Sequence, residues 1–275
     1  MATTATPKTE AASDAATLVN YSVQDGLAIM ELSDPPANTY THEMMRQLDE
    51  AILEARMDDD VEVIILRGEG DKFFSAGANI QMLSEVTPRF KYFFCLHANE
   101  TLNRLEHTPK LVIAALNGHT VGGGLEIAMA CDIRLARKDA GKIGLPEVNL
   151  GVLPGTGGTQ RLSRLIGKAR SMEMMVTGEV FSFEKAKEIG LVNDVFPKDT
   201  FWDQVLMYAK QFCTPNKAAK AVGSIKRAVC SGLEVPFESA LAIERELQQG
   251  LFQSEDAKEG LAAYVEKRMA EFQGK

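Results

Sequence analysis

Leu111-Val-Ile-Ala-Ala-Leu116 and Val121-Gly-Gly-Gly-Leu-Glu126-Ile-Ala-Met-Ala-Cys-Asp132 decide how this chain folds. The first is a short, unbroken apolar run with β-branched residues, closed by Gly118, and reads as a strand buried on both faces. Gly122, Gly123 and Gly124 then punctuate the chain. Leu125 to Ala130 reads as a short apolar helix, and Ile133 to Ala136 returns to strand. Strands that alternate with helices at this spacing predict an α/β architecture.

Working toward the N-terminus, Val61 to Leu66 is a second buried strand, ended by Gly68, and Arg89 to Glu106 is helical. The interval between them shows no resolved period. From His42 to Arg56, Met45, Leu48, Ile52 and Ala55 recur at helical spacing. Val19–Val23 and Leu27–Leu32 flank Asp25-Gly26, a dipeptide suited to the positive φ of a tight hairpin. Toward the C-terminus, the Gly-rich stretch Gly151–Gly158 gives way to helix formers, interrupted by the strand-like run Leu191–Phe196. Thr200 and Asp203 predict a capping box, followed by Phe201, Val205, Ala209 and Phe212 on one helix face. The expected division is a flexible tail over 1–16, an α/β core over 17–204 and a helical domain over 205–275. No internal repeat of fixed period is visible.

The 275 residues are 45% hydrophobic and 25% charged, a globular composition, and no apolar run reaches the roughly 20 residues of a bilayer span. A formal net charge of −8 argues against a nucleic-acid partner, which is held mainly by clustered Lys and Arg. Cys95, Cys131, Cys213 and Cys230 are widely spaced, which fits free thiols in a reducing compartment. The Ala- and Thr-rich tail lacks the apolar core of a secretory signal and is not Arg-rich. The expected location is therefore the cytoplasm, with an organelle as the weaker alternative.

Two glycine-containing segments, Phe73-Phe-Ser-Ala-Gly-Ala-Asn79 and Val121-Gly-Gly-Gly-Leu-Glu126, each follow a strand and precede a helix. Both can present bare backbone N–H groups, and two such donors from two loops can form an oxyanion hole. Close packing of helix on strand would use the same glycines. Neither is a dinucleotide or P-loop fingerprint, because Gln160 stands where the third glycine after Gly155 and Gly157 would fall, and Gly167-Lys168 is followed by Ala169.

Glu126 and Glu147 lie among apolar residues, where carboxylates are uncommon without a partner or a task. They are a candidate acid–base pair, with salt-bridged or surface acids as the alternative. His42, His97, His107 and His119 show no metal-ligand spacing, so no metal site is expected. Asp132 reads equally as a structural hydrogen-bonding residue.

The ordered set Pro36-Ala-Asn38, Phe74-Ser-Ala-Gly-Ala-Asn79, Ala114-Ala-Leu-Asn-Gly118, Gly122–Asp132, Gly144-Leu-Pro-Glu-Val-Asn-Leu-Gly151, Pro154-Gly-Thr-Gly-Gly-Thr-Gln-Arg-Leu162 and Ala186-Lys-Glu-Ile-Gly-Leu-Val192 resembles the crotonase, or enoyl-CoA hydratase/isomerase, family. The resemblance covers nearly the whole chain after the tail. It implies a spiral core of repeated β-β-α turns, with C-terminal helices that assemble trimers or hexamers. It also implies a CoA thioester substrate, with CoA as part of the substrate and no separate cofactor. By resemblance, the N–H groups of Ala78 and Gly123 bind the thioester oxygen, and the run Ala76, Ala78, Asn79, Ile80 and Gln81 lies along the CoA chain. Lys267 approaches the nucleotide end from a neighbouring subunit. Glu126 acts as base and Glu147 delivers a proton, so hydration of a 2-enoyl-CoA is the expected reaction. Alternatives within the family are an isomerase or another enolate-forming enzyme such as a decarboxylase. A noncatalytic or RNA-binding member is a remote one.

Departures from the pattern are Asn79 for the usual Asp, Leu145 for a commonly polar Gln, and Tyr40-Thr41 where small or aliphatic residues are common. Leu145 is expected to make the acyl pocket more apolar, and Tyr40 and Thr41 to reshape acyl selection.

Overall fold

The computed structural model describes residues 16–275, so nearly all of the expected N-terminal tail lies outside the described residues. The chain opens with β1 (Val19–Gln24) and β2 (Leu27–Leu32). They form an antiparallel hairpin whose turn residues, Asp25 (φ 52°) and Gly26 (φ 80°), are both left-handed, as a two-residue turn between twisted strands requires. Helix α1 (His42–Met57) starts where Thr41 accepts a hydrogen bond from the Met44 N–H at 3.3 Å. It buries Met44, Met45, Leu48, Ala51, Ile52 and Ala55 along one face.

Three turns of a spiral follow, each made of one strand in a large sheet and one in a small sheet. The first is β3 (Val63–Gly68) and β4 (Phe73–Ser75), then α2 (Ile80–Glu85) and α3 (Pro88–Glu106). The second is β5 (Leu111–Leu116), β6 (His119–Val121) and α4 (Gly123–Met129). In the third, β7 (Ile133–Arg137) and β8 (Ile143–Gly144) lead through the 3-10 turn Glu147–Leu150 to α5 (Gly158–Ile166) and α6 (Lys168–Thr177). Then come β9 (Val180–Phe181), α7 (Phe183–Glu188), β10 (Asp194–Phe196) and α8 (Phe201–Lys210). The large sheet has the order β1-β2-β3-β5-β7-β10, parallel beyond the hairpin, and the small one β4-β6-β8-β9. This is the expected α/β class, with the β-β-α turns that the resemblance implied.

Side chains alternate across the large sheet. Ile64, Leu66, Val112, Ala114 and Leu116 face the main core under α1, α3 and α4, whereas Val63, Ile65, Ile113 and Ala115 face a second core. That second core is closed by Phe201, Val205 and Ala209 of α8. The expected boundary at residue 204 thus falls inside a helix that packs on the sheet as one piece. The predicted capping box at its start is corrected: Thr200 ends a 3-10 turn, Lys198–Thr200, caps no N–H, and accepts instead from Gln204 Nε2.

Helices α9 (Ala219–Gly232), α10 (Phe237–Phe252) and α11 (Glu255–Glu266) complete the chain. A buried ion pair, Lys226 Nζ to Asp132 Oδ2 at 2.8 Å, ties α9 to the segment entering β7. Asp132 also accepts the Val112 N–H at 2.7 Å, which gives it a structural role. Helix α10 buries none of its residues.

Candidate active site

The short sheet fixes the site because β4, β6 and β8 run parallel and their carboxyl ends open on one side. Ala76–Asn79 leave β4, Gly122 and Gly123 leave β6, and Pro146-Glu147 leave β8. The first two loops touch. Gly77 has φ 90°, and a Cβ there would lie 2.8 Å from the Gly123 nitrogen, so both backbone conformation and space demand glycine. Gly123 begins α4 and its N–H has no acceptor among the described residues; the same holds for the Ala78 N–H. Each is an unpaired donor at the wall of one cavity of about 470 Å³.

Glu126 sits in the first turn of α4, 2% exposed. Its Oε1 accepts two backbone N–H groups, from Thr156 and Gly158, each at 2.7 Å. Burial raises its pKa, opposed by those two hydrogen bonds and by the charges of Lys91 and Arg161. With Oε1 committed twice, Oε2 is the atom left to take up a proton. Gly158 must be glycine here, since a Cβ would meet Glu126 Oε1 at 2.9 Å and Pro154 Cβ at 2.7 Å.

Glu147 opens the 3-10 turn after Pro146 and faces the glycine turn, its Oε1 lying 3.1 Å from where a Cβ on Gly122 would be. Its Oε2 is buried with no hydrogen-bond partner. Burial above all, and the nearby Glu126 charge, push its pKa up to about 7, against the pull of its own backbone N–H and of Lys91. At neutral pH this carboxyl is a mixture of protonated and ionised forms, as a group that both gives and takes protons needs to be.

Both glutamates, Ala76, Ala78, Ile80 and Gly123 line the cavity together, with Tyr40, Leu83, Leu150, Val152 and Leu153 supplying apolar wall. Asn79 does not line it: its Oδ1 caps α2 by accepting from the Met82 N–H at 2.9 Å. Gln81 and Lys267 are also outside the lining, Lys267 ending α11 in a left-handed conformation (φ 57°). The expectation for Leu145 is corrected: it is fully buried in the main core and contributes nothing to the cavity wall. Thr41 is likewise absent from the cavity lining, its hydroxyl being the cap of α1.

Sequence reasoning assigned no role to Thr156, Gly158 or Lys91. The first two belong to a glycine-rich turn ahead of α5, and the argument used for Gly123, bare N–H groups ahead of a helix, applies there too. Nothing in the sequence marks Lys91. Among the described residues no cluster of His, Cys, Asp and Glu could hold a metal. His119 Nδ1 accepts the Lys142 N–H at 3.0 Å, a structural use.

The chain is similar to known proteins over most of its length. A "Probable enoyl-CoA hydratase" of Bacillus subtilis is 36% identical over 93% of this chain and 98% of its own length. The "Short-chain-enoyl-CoA hydratase" of Clostridium acetobutylicum is 37% identical, covering 89% and 93%. The crystal structure of "Enoyl-CoA hydrates" from Geobacillus kaustophilus superposes with a TM-score of 0.91 at 48% identity, covering 94% of this chain and 97% of that one. The family described as Enoyl-CoA hydratase/isomerase matches residues 22–275, and the chain belongs to it.

Proposed function

We propose that this protein is an enoyl-CoA hydratase, a hydro-lyase that adds water across the double bond of a 2-trans-enoyl-CoA to give the 3-hydroxyacyl-CoA. The observation that carries this reading is the convergence of two carboxyls and two unpaired backbone N–H groups on one largely apolar cavity. An enoyl thioester needs all four. Attack of water on C3 moves electron density onto the thioester oxygen, and the N–H groups of Ala78 and Gly123 stabilise it there. Each such donor contributes on the order of 3 kcal/mol where measured in other enzymes. Glu126 takes a proton from the water through Oε2, the oxygen free of backbone donors. The hydroxyl bonds to C3, and Glu147, protonated in part at neutral pH, gives its proton to C2. Exchange of one proton from Glu126 to Glu147 through solvent resets the pair.

Backbone at Ala76, Ala78, Asn79, Ile80 and Gln81 is the proposed path of the pantetheine chain, and Lys267 of a neighbouring copy the contact for its nucleotide end. CoA belongs to the substrate, and the reaction as written uses no other cofactor. Among the described residues no helix is long and apolar enough to cross a membrane. The four free cysteines support placement in the cytoplasm.

An isomerase would move the double bond with one carboxyl. The presence of both glutamates at the cavity favours hydration. Product analysis separates the two: with crotonyl-CoA, 3-hydroxybutyryl-CoA is expected, and recovery of a 3-enoyl isomer in its place would reverse the assignment.

A further inference from the structure

Tyr40 departs from the pattern of small or aliphatic residues and lies against both donor loops and the turn that holds Glu126. Its backbone lies alongside the first donor loop: the Tyr40 N–H donates to Gly77 O at 2.9 Å, and the Asn79 N–H donates to Tyr40 O at 3.0 Å. Those two bonds bracket Ala78 and leave its own N–H free. The ring lies against the second donor, since a Cβ at Gly123 would fall 2.4 Å from Tyr40 Cε1 and 2.8 Å from Cζ. Phe94 stacks on the ring, centroids 5.7 Å apart, and fixes its plane. At the far end, the Tyr40 hydroxyl is 2.9 Å from Thr156 Oγ1, and the Thr156 N–H is one of the two that hold Glu126. Tyr40 is 2% exposed and Thr156 1%, and among the described residues each hydroxyl has the other as its hydrogen-bond partner.

We infer that Tyr40 is a positioning residue that aims the Glu126 carboxylate through Thr156 while its ring and backbone hold the two thioester-oxygen donors in register. An aliphatic side chain at this position could support the loops by packing but has no hydroxyl with which to fix the turn around Thr156. The phenol stays neutral, because burial and the Glu126 charge both raise its pKa. It therefore acts as a hydrogen-bonding strut and not as a proton carrier. Loss of the strut loosens the Thr156 N–H bond, which holds the Glu126 pKa down. The base then becomes harder to ionise.

The inference rests on the hydratase reading for its kinetic readout but not for its physical one. Tyr40→Phe keeps the ring and the backbone; Thr156→Val keeps the N–H and removes the hydroxyl. Each single variant leaves one hydroxyl buried without a partner and should lower Tm, whereas the double variant removes both and should recover it. If Tyr40 positions Glu126, kcat on crotonyl-CoA falls roughly tenfold in both single variants and stays at that level in the double, with KM within about twofold of wild type. The acid limb of the kcat profile moves to higher pH. NMR titration of the Glu126 side-chain carboxyl carbon, in 13C-glutamate-labelled protein and identified by its absence in Glu126→Gln, should show the same upward shift, by about half a unit or more. That titration needs no turnover, so it tests Tyr40 even if crotonyl-CoA is not a substrate, an outcome that would count against the hydratase reading alone. A Glu126 titration unchanged in Tyr40→Phe, or a kcat that recovers with Tm in the double variant, would overturn the inference.

Discussion

Glu147 shows how much local conflict a single residue can hold. Its carboxyl is half-buried, one oxygen lacks a partner, and its pKa is raised to about 7 from an ordinary value near 4.5. A raised pKa means that the folded state prefers the protonated form. The associated stability is present below about pH 4.5 and is lost as pH rises through 7. Gln cannot ionise, so Glu147→Gln should raise Tm at pH 8 by about 2–4 °C, the shift that roughly 1 kcal/mol produces in a chain of this size, after allowance for partial exposure. At pH 5 the gain should shrink. Thermal melts at the two pH values check this, and an equal effect at both would mean that Glu147 is not held in the protonated form. Greater stability with less activity is the usual exchange at a catalytic group.

Elements differ in how far the sequence disclosed them. The helix His42–Met57 was legible because it is long enough to display a period, and the strands Leu111–Leu116 and Ile133–Arg137 because they are short apolar or β-prone runs set off by glycines or a helix. The small sheet was not, since β4, β6, β8 and β9 are two or three residues long and pair only across the spiral. The spiral itself hid for a related reason: its large-sheet strands begin at residues 63, 111 and 133, intervals of 48 and 22 residues, so no fixed period exists to find. At the site, the two glutamates and two glycine loops were readable from composition. The clasp from Thr156 and Gly158 onto Glu126 joins residues 30 and 32 positions apart, which no local pattern encodes.

The link from α9 to the core is equally nonlocal. Lys226, with a side chain 3% exposed, pairs with Asp132 and donates to Leu105 O at 3.3 Å and Lys110 O at 3.1 Å. Lys226→Met would remove the cation that opposes the burial-raised pKa of Asp132 and leave that carboxyl without its partner, a change that typically costs about 3–5 kcal/mol. Urea unfolding that gives a loss in unfolding free energy of less than a third of that would show that α9 is held by packing alone.

For the molecule as a whole, the C-terminal helices leave a large apolar surface in water. Phe237 is 75% exposed, Tyr264 86%, Val265 79% and Met269 88%. Large apolar side chains left this exposed suit an interface, and the proposed occupants are further copies of the chain. Sedimentation equilibrium should give three or six times the chain mass of 30.1 kDa; a monomer at micromolar concentration would contradict this and remove the proposed contact of Lys267 with a neighbour's substrate. The central claim, that Glu126 and Glu147 act as a pair on a thioester held by Ala78 and Gly123, is tested most directly by hydration of crotonyl-CoA followed as loss of conjugated-thioester absorbance. Wild-type protein should turn over, and Glu126→Gln and Glu147→Gln should each lower kcat by roughly 100-fold or more, as loss of a general acid or base usually does. Turnover within twofold of wild type in either variant would contradict the account.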